Sequence, residues 1–583
     1  MVNGAFRKLS LVPLLLGLAA IAGAQSFRVQ CPTSTISHPI DANNISEPPY
    51  TGPTTYTSCT PGQPIVSGST VLCPASGIAP TNVNGAIKCQ QISGGDGYST
   101  MGDGTQTYMF SFGPLSGLAD IANGAPGTQF PNVFNTVYDV NGSFASKLPP
   151  NSLYEAIAPL AAGDPATTSG ASDAPYSAGN LTSNYQLANF TYNGAVGLSP
   201  DSFSENIDQP TYNLLNGHVD PRPIIDVGVM NGNIPAPLMA FDEDDEFFLT
   251  LTNVGMIMRP DLFEQHTVHF HGYPNASTFY DGVPDASVAI NIGGSFTYYY
   301  LAPDAGTYFW HCHITPPEHL QMGMVGQLYV RPRQNRVPST TTLNASLLAQ
   351  QGDLRTACRR PGDTASPAVT TFPDILCTNP MPAVATAAVG GGKYAYNDGD
   401  GTTAYDVEYP IQIHGFDPNF HFVGMTFNPE NFSGMKDKYF LLNGRSYPDT
   451  VTPGPMATQS SDGSMHYSQP LPAIITIPAG GKALLRISDL DVTEYQTLAS
   501  LGIPMKVIGY NAKLLRDQEG NNLYYNTNSI TLAGGESLDV ILDASDKTKY
   551  QAGQVFYLYT PSLDHLANDA ENFGGLMTEI HIN

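Results

Sequence analysis

Short apolar stretches broken every few residues by glycine, proline or asparagine set the pattern of this chain. A half-buried strand repeats every two residues and a surface helix every 3.6. Phe247–Asn253 shows the two-residue alternation, and short strands are predicted at Thr105–Phe112, Val268–Gly272, Phe296–Leu301, Thr307–His313 and Gln327–Val330. A second unit shows the same rhythm. Phe440-Leu-Leu-Asn-Gly-Arg-Ser-Tyr-Pro448 echoes the Asn-Gly…Pro turn at 231–235, Ile475–Ile487 reads strand–turn–strand, and Gly574–Ile582 closes the chain as a last strand. This internal echo predicts two related β-sandwiches in series.

The remaining segments follow by contrast. Residues 1–24 read as a secretory signal, with Arg7-Lys8, an apolar run Leu9–Ala20 and a small-residue stretch Ala22–Ala24. Residues 25–95 are rich in Ser, Thr, Pro and Gly and carry four cysteines. The first domain is expected over 96–334, with a long loop insertion at about 113–220. A polar linker is expected over 335–405 and a second domain over 406–583.

Composition supports the all-β reading: 57 Gly, 48 Pro, 31 Tyr and 26 Phe against 13% charged residues. No segment after the leader reaches the roughly 18 apolar residues that a membrane helix needs. The expected location is the periplasm or the extracellular space. A formal charge of −26 disfavours nucleic acid as a partner and draws in cations or basic redox proteins. Of the seven cysteines, Cys31, Cys59, Cys73 and Cys89 allow three pairings among themselves, and Cys358 can close a short loop with Cys377. That leaves Cys312 odd. A bound metal is one way to occupy such a thiol in an oxidising compartment.

The residues around it point the same way. Trp310-His-Cys-His-Ile-Thr-Pro-Pro-Glu-His-Leu-Gln-Met-Gly-Met324 sets Cys312 between two histidines, then places His319 and Met324 downstream. A thiolate, two imidazoles and a weak axial thioether form the ligand set of type 1 copper, and methionine is a poor zinc ligand. The partner stretch is Gln265-His-Thr-Val-His-Phe-His-Gly272. Strand alternation puts His269 and His271 on one face and His266 on the other, and likewise separates Cys312 from His311 and His313. Pairing the two strands gives one cluster with His266 and Cys312, which the following loop completes with His319 and Met324. The other cluster is all imidazole: His269, His271, His311 and His313.

With Asp281-Gly-Val-Pro284 and Gly323-Met-Val-Gly-Gln-Leu-Tyr-Val330, these motifs resemble the cupredoxin domains of multicopper oxidases. A type 1 site in the first of two domains is similar to copper nitrite reductases and two-domain laccase-like oxidases. The resemblance covers about 223–583. It implies two cupredoxin-like Greek-key β-sandwiches, type 1 copper on His266, Cys312, His319 and Met324, and type 2 or type 3 copper on His269, His271, His311 and His313. It further implies proton delivery by Asp281, an enzyme acting as a copper oxidoreductase, and a small-molecule, metal-ion or protein reductant. Two departures stand out. The loop from Cys312 to His319 is longer than in most laccases and contains Pro316-Pro317. The second unit has only His414, His421, His466, His565 and His581, with no His-x-His pair, so the eight-histidine cluster of that family is not complete in one copy. A neighbouring subunit in a homo-oligomer is one possible donor, with His565 the best placed. A one-copper electron carrier and a nitrite-reductase-like enzyme with interface copper stand as the alternatives.

Overall fold

The computed structural model describes residues 87–114, 232–336 and 392–583 apart from short gaps, together with isolated positions elsewhere. The expected signal segment, nearly all of the 113–220 insertion and every expected disulfide pairing lie outside the described residues.

The described chain is built from β-strands, with two short α-helices and a few 3-10 turns. The first sandwich uses β1 (Ile87–Thr100), β2 (Gln106–Pro114), β3 (Met239–Asp242), β4 (Glu246–Gly255), β5 (His269–Phe270), β6 (Ser295–Leu301), β7 (Gly306–His311) and β8 (Val325–Arg331). One sheet runs β2-β1-β4-β6 and the other β3-β8-β7-β5. Their inward faces meet in an aromatic core that includes Phe110, Phe112, Tyr298, Tyr300, Trp310 and Cys312. In both sheets one pair is parallel, β1 with β4 and β3 with β8, so the connecting chain has to leave the pair and return.

The second sandwich packs Ile411, Ile487, Val540, Leu558 and Ile580 between its two sheets. One sheet runs along β9 (Val407–Phe416), β10 (Tyr439–Leu442), β12 (Lys482–Asp489), β14 (Met505–Tyr510), β15 (Lys513–Leu514) and β17 (Ser537–Asp543), in the order β10-β9-β12-β17-β14-β15. The other uses β11 (Ile475–Ile477), β13 (Gln496–Leu501), β16 (Ser529–Leu532), β18 (Val555–Tyr559) and β19 (Met577–Ile582), ordered β11-β19-β18-β13-β16.

Two boundaries differ from those expected. The first domain does not begin at 96: β1 starts at Ile87 and pairs with β4 from its first residue. Gly94, Gly95 and Gly97 interrupt its apolar alternation, so the strand carries little periodic signal. The linker does not extend to 405, because Ala395, Tyr396 and Tyr405 are buried with Leu484, Ile508 and Ala305. Asp242, Glu243, Asp245 and Glu246 are all buried, and Glu243 accepts hydrogen bonds from Ala305 N, Arg333 N and the Asn397 amide. A charge run reads as surface only when no partners are visible, and these partners come from distant parts of the chain.

The sandwiches are joined through β7 and β8. Gln327 Nε2 donates to Arg486 O and Ser488 Oγ at 2.9 and 2.8 Å. Thr307 Oγ1 donates to Asp539 Oδ1 at 2.7 Å. Arg331 on β8 and Arg486 on β12 both bind Glu408 on β9, at 2.7 and 3.0 Å. Burial alone would raise the Glu408 carboxyl, but the two guanidiniums pull it from 4.5 to about 2. A carboxyl depressed on folding contributes stability that is complete above its unfolded value and lost as pH falls through its folded value. Glu408→Gln is therefore expected to cost about 3 kcal/mol at pH 7. In denaturant titrations, wild type and variant should converge as pH falls from 4.5 towards 2. An equal gap at pH 7 and pH 3 would show that this pair does not lock the sandwiches.

Candidate metal centre

β5 runs antiparallel to β7, with His269 opposite His311 and Phe270 opposite Trp310. The pleat then separates the ligand types as alternation requires. Cys312 is fully buried in the core of the first sandwich, whereas His313 on the opposite side is partly exposed.

The core-side cluster is His266, Cys312 and His319, whose ligand atoms all lie within 4.8 Å of one another. Cys312 Sγ is 3.2 Å from His319 Nδ1 and accepts a long contact from Thr267 N at 3.4 Å. His319 sits on α1 (Pro316–Gln321), a helix where only a loop was expected. The chain enters it through Thr315 in the left-handed region, φ 39°, and leaves at Gly323, φ 111°. Two prolines open the first turn, where their missing N–H groups cost nothing. Met324 is buried in the same core, and its backbone carbonyl accepts from Cys312 N at 3.1 Å. His266, Cys312 and His319 therefore converge, and Met324 lies in the same core, tied to Cys312 through its backbone.

This cluster fits a cation. Neither ring nitrogen of fully buried His266 has a hydrogen-bond partner, and burial holds its pKa well below the usual histidine range. A buried neutral imidazole with both nitrogens unpartnered is costly unless a metal takes a lone pair. The cradle is tight: a Cβ on Gly94 would lie 2.4 Å from His266 Cδ2. Burial would also lower His319, but Cys312 and Glu264 outweigh it and push it up to about 10. A metal binding there has to displace that proton. Glu264 Oε2 lies 3.5 Å from His319 Nε2, at the outer edge of this imidazole. The sequence reading missed it; its only signal is its place two residues before His266.

The second cluster is His269, His271 and His311, again within 4.8 Å. His313 stands beside them, with ring centres 5.0 Å from His269 and 5.4 Å from His311. His269 Nδ1 faces Asp281 O at 2.7 Å, His311 Nδ1 faces Cys312 O at 2.6 Å, and His271 bonds the Gly535 backbone. Carbonyl oxygens only accept, so Nδ1 of His269 and His311 carries the proton and Nε2 keeps a free lone pair. His271 and His311 direct their Nε2 atoms at each other from 3.0 Å. Burial, then neighbouring imidazoles, lowers His271 to about 4 and holds His311 well below the usual histidine range, so both are neutral near pH 7. Anchoring of the outer nitrogen is the usual support for metal-bound histidine. The Asp281 carboxylate lies 3.6 Å from His269 Nδ1.

Residues 216–335 match the family described as multicopper oxidase. Both clusters lie within that segment. The chain is similar to the multicopper oxidase MCE of Talaromyces pinophilus, 36% identical over 124 residues, 21% of this chain and 19% of that protein. It is also similar to Laccase-1 of Emericella nidulans, 37% identical over 140 residues, 23% of this chain and 21% of that one. The matched stretch thus spans about a fifth of these curated relatives. Among solved structures, the blue copper oxidase of Nitrosomonas europaea aligns at 19% identity with a TM-score of 0.38, over 60% of this chain and 78% of its own.

Among the described residues no imidazole arrives at either cluster from the second sandwich. His414 and His421 are buried and hydrogen-bonded to backbone. His565, expected as the best donor to a neighbouring copy, is stacked on Phe440 at 3.9 Å and bonded to Gln496. Instead, a cleft of about 460 Å³ opens beside His271, lined by Phe309 and Leu320 on one side and Asp491, Glu494 and Gly535 on the other. Gly94→Ala tests the core-side cluster. Copper titration should show binding at the thiolate weakened about tenfold or more, with binding at the imidazole cluster retained. Unchanged thiolate binding would mean that His266 is not a ligand.

Proposed function

We propose that this chain is an exported copper oxidoreductase of the multicopper oxidase type, in which His266, Cys312, His319 and Met324 would hold type 1 copper. Its second copper site is formed by His269, His271, His311 and His313. The observation that carries this reading is the pair of clusters on either side of one residue, each with nitrogens left open for a cation. Copper in such sites changes oxidation state by one electron at a time, and thiolate ligation tunes its potential.

The chain's own groups supply the route and the selectivity. Glu264 and the outer edge of His319 form the entry for a phenolic, metal-ion or protein reductant, and the carboxylate favours cationic donors there. Cys312 links the clusters twice: through its peptide bond to His311 and through its carbonyl, which accepts the His311 Nδ1 proton at 2.6 Å. Oxygen or another small acceptor enters by the cleft at His271. Asp281 keeps His269 oriented through its carbonyl and places a carboxylate beside it for proton delivery.

Full-length protein loaded with copper, beside Cys312→Ser, tests the proposal. Two or more coppers per chain, an intense visible thiolate band, loss of that band in Cys312→Ser and oxygen uptake with a phenol or Fe(II) are expected. One copper per chain with the band but no uptake would replace the enzyme by an electron carrier. A colourless chain would end both readings.

A further inference from the structure

Among the described residues the second sandwich contributes no side chain to either cluster, yet its side chains hold the helix that bears His319. α1 ends at Gln321, and the last carbonyls of a helix need partners from outside it. His414 Nε2 donates to Leu320 O at 2.9 Å. His421 sits between two carbonyls, with Nε2 2.9 Å from Gln321 O and Nδ1 2.5 Å from Tyr108 O on β2, and as a neutral imidazole it donates its single N–H to one of them. The Gln321 side chain is held at both ends: its amide donates to Asp437 Oδ1 at 3.0 Å, and its carbonyl accepts from Asp417 N at 2.9 Å. Asp437 is fixed in turn by the Thr493 hydroxyl. All four donors or acceptors belong to the stretch 414–437, which comprises the end of β9, helix α2 (Pro418–Gly424) and the approach to β10.

The target of this grip is narrow. Leu320 and Gln321 directly follow His319, and Met324 N bonds back to His319 O at 2.8 Å. His421 also bridges α1 to β2, the strand whose Phe110 ring meets the His319 ring edge-on at 5.2 Å. His414, His421 and Gln321 are buried, so water does not replace a lost contact.

We propose that His414, His421 and Asp437 are positioning residues: the second sandwich clamps α1 and thereby fixes where His319 and Met324 stand relative to Cys312. This rests on the copper reading above, and one half of the test does not depend on copper. In the copper-free full-length chain, His414→Phe and His421→Phe keep a ring in place but remove the donors. Hydrogen exchange of the peptide covering 312–324 should quicken about five- to tenfold. The peptide at 577–582 should not change, and His581→Gln serves as the control variant. In the copper-loaded chain, the same variants should shift the thiolate-to-copper absorption and the hyperfine splitting in electron paramagnetic resonance. His414→Gln, whose amide can stand in for Nε2, should return both towards wild type.

Unchanged exchange in both phenylalanine variants overturns the clamp. Faster exchange with a wild-type copper spectrum, or failure of His414→Gln to restore the spectrum, overturns its positioning role. A wild-type chain that takes up no copper refutes the copper reading, and with it the positioning role; exchange alone then decides whether the second sandwich holds α1.

Discussion

The constraint on which the rest of the site depends is the pleat of the strand ending at His311-Cys312-His313. Consecutive side chains leave a strand on opposite faces. One residue can therefore send a sulfur into the aromatic core while its two neighbours send imidazoles to the face beside the second sandwich. β5 repeats the division through its pairing of His269 with His311. Soft and hard ligand sets are thus separated by the thickness of one sheet and joined by one peptide unit. The Cys312 carbonyl closes the gap further by accepting from His311.

That division has an energetic side. His266 is buried with both nitrogens unpartnered, and the outer nitrogen of His319 has only Glu264 at 3.5 Å. Unsatisfied buried polar atoms cost about 1–3 kcal/mol each. The surrounding packing tolerates this because it is otherwise dense and apolar, with Phe110, Tyr298, Met322 and Trp310 closing the walls. A metal that fills the cluster turns this cost into binding and ties folding to ligand capture. The second sandwich secures the arrangement from outside, through the Arg331–Glu408–Arg486 bridge and through the contacts to α1.

The imidazole cluster is one-sided among the described residues. Where a second set of histidines would have to approach, the structure has a cleft bordered by Asp491, Glu494 and Gly535. Gly535 is required there: it has φ +89°, and a Cβ would meet the His271 ring at 2.8 Å. The second sandwich has therefore been shaped to meet these histidines without adding to them. Its own histidines, His414 and His421, are used as hydrogen-bonding groups in its interface with the first.

By itself the sequence determined which histidines and cysteine gather, their division between two faces, the all-β class and the existence of two sandwiches. Each of these follows from a local rule, since a two-residue period needs only neighbours to be read. Tertiary structure alone decided the rest. Glu264 meets His319 only because α1 folds back over it, and Gly94 cradles His266 because β1 runs beside β4. Glu243 is buried because Arg333, Ala305 and Asn397 arrive from far along the chain. The buried roles of His414 and His421 appear only once the sandwiches dock. Alternation states which way a side chain points; it does not state what will be standing there, because that depends on contacts between segments with no periodic relation to each other.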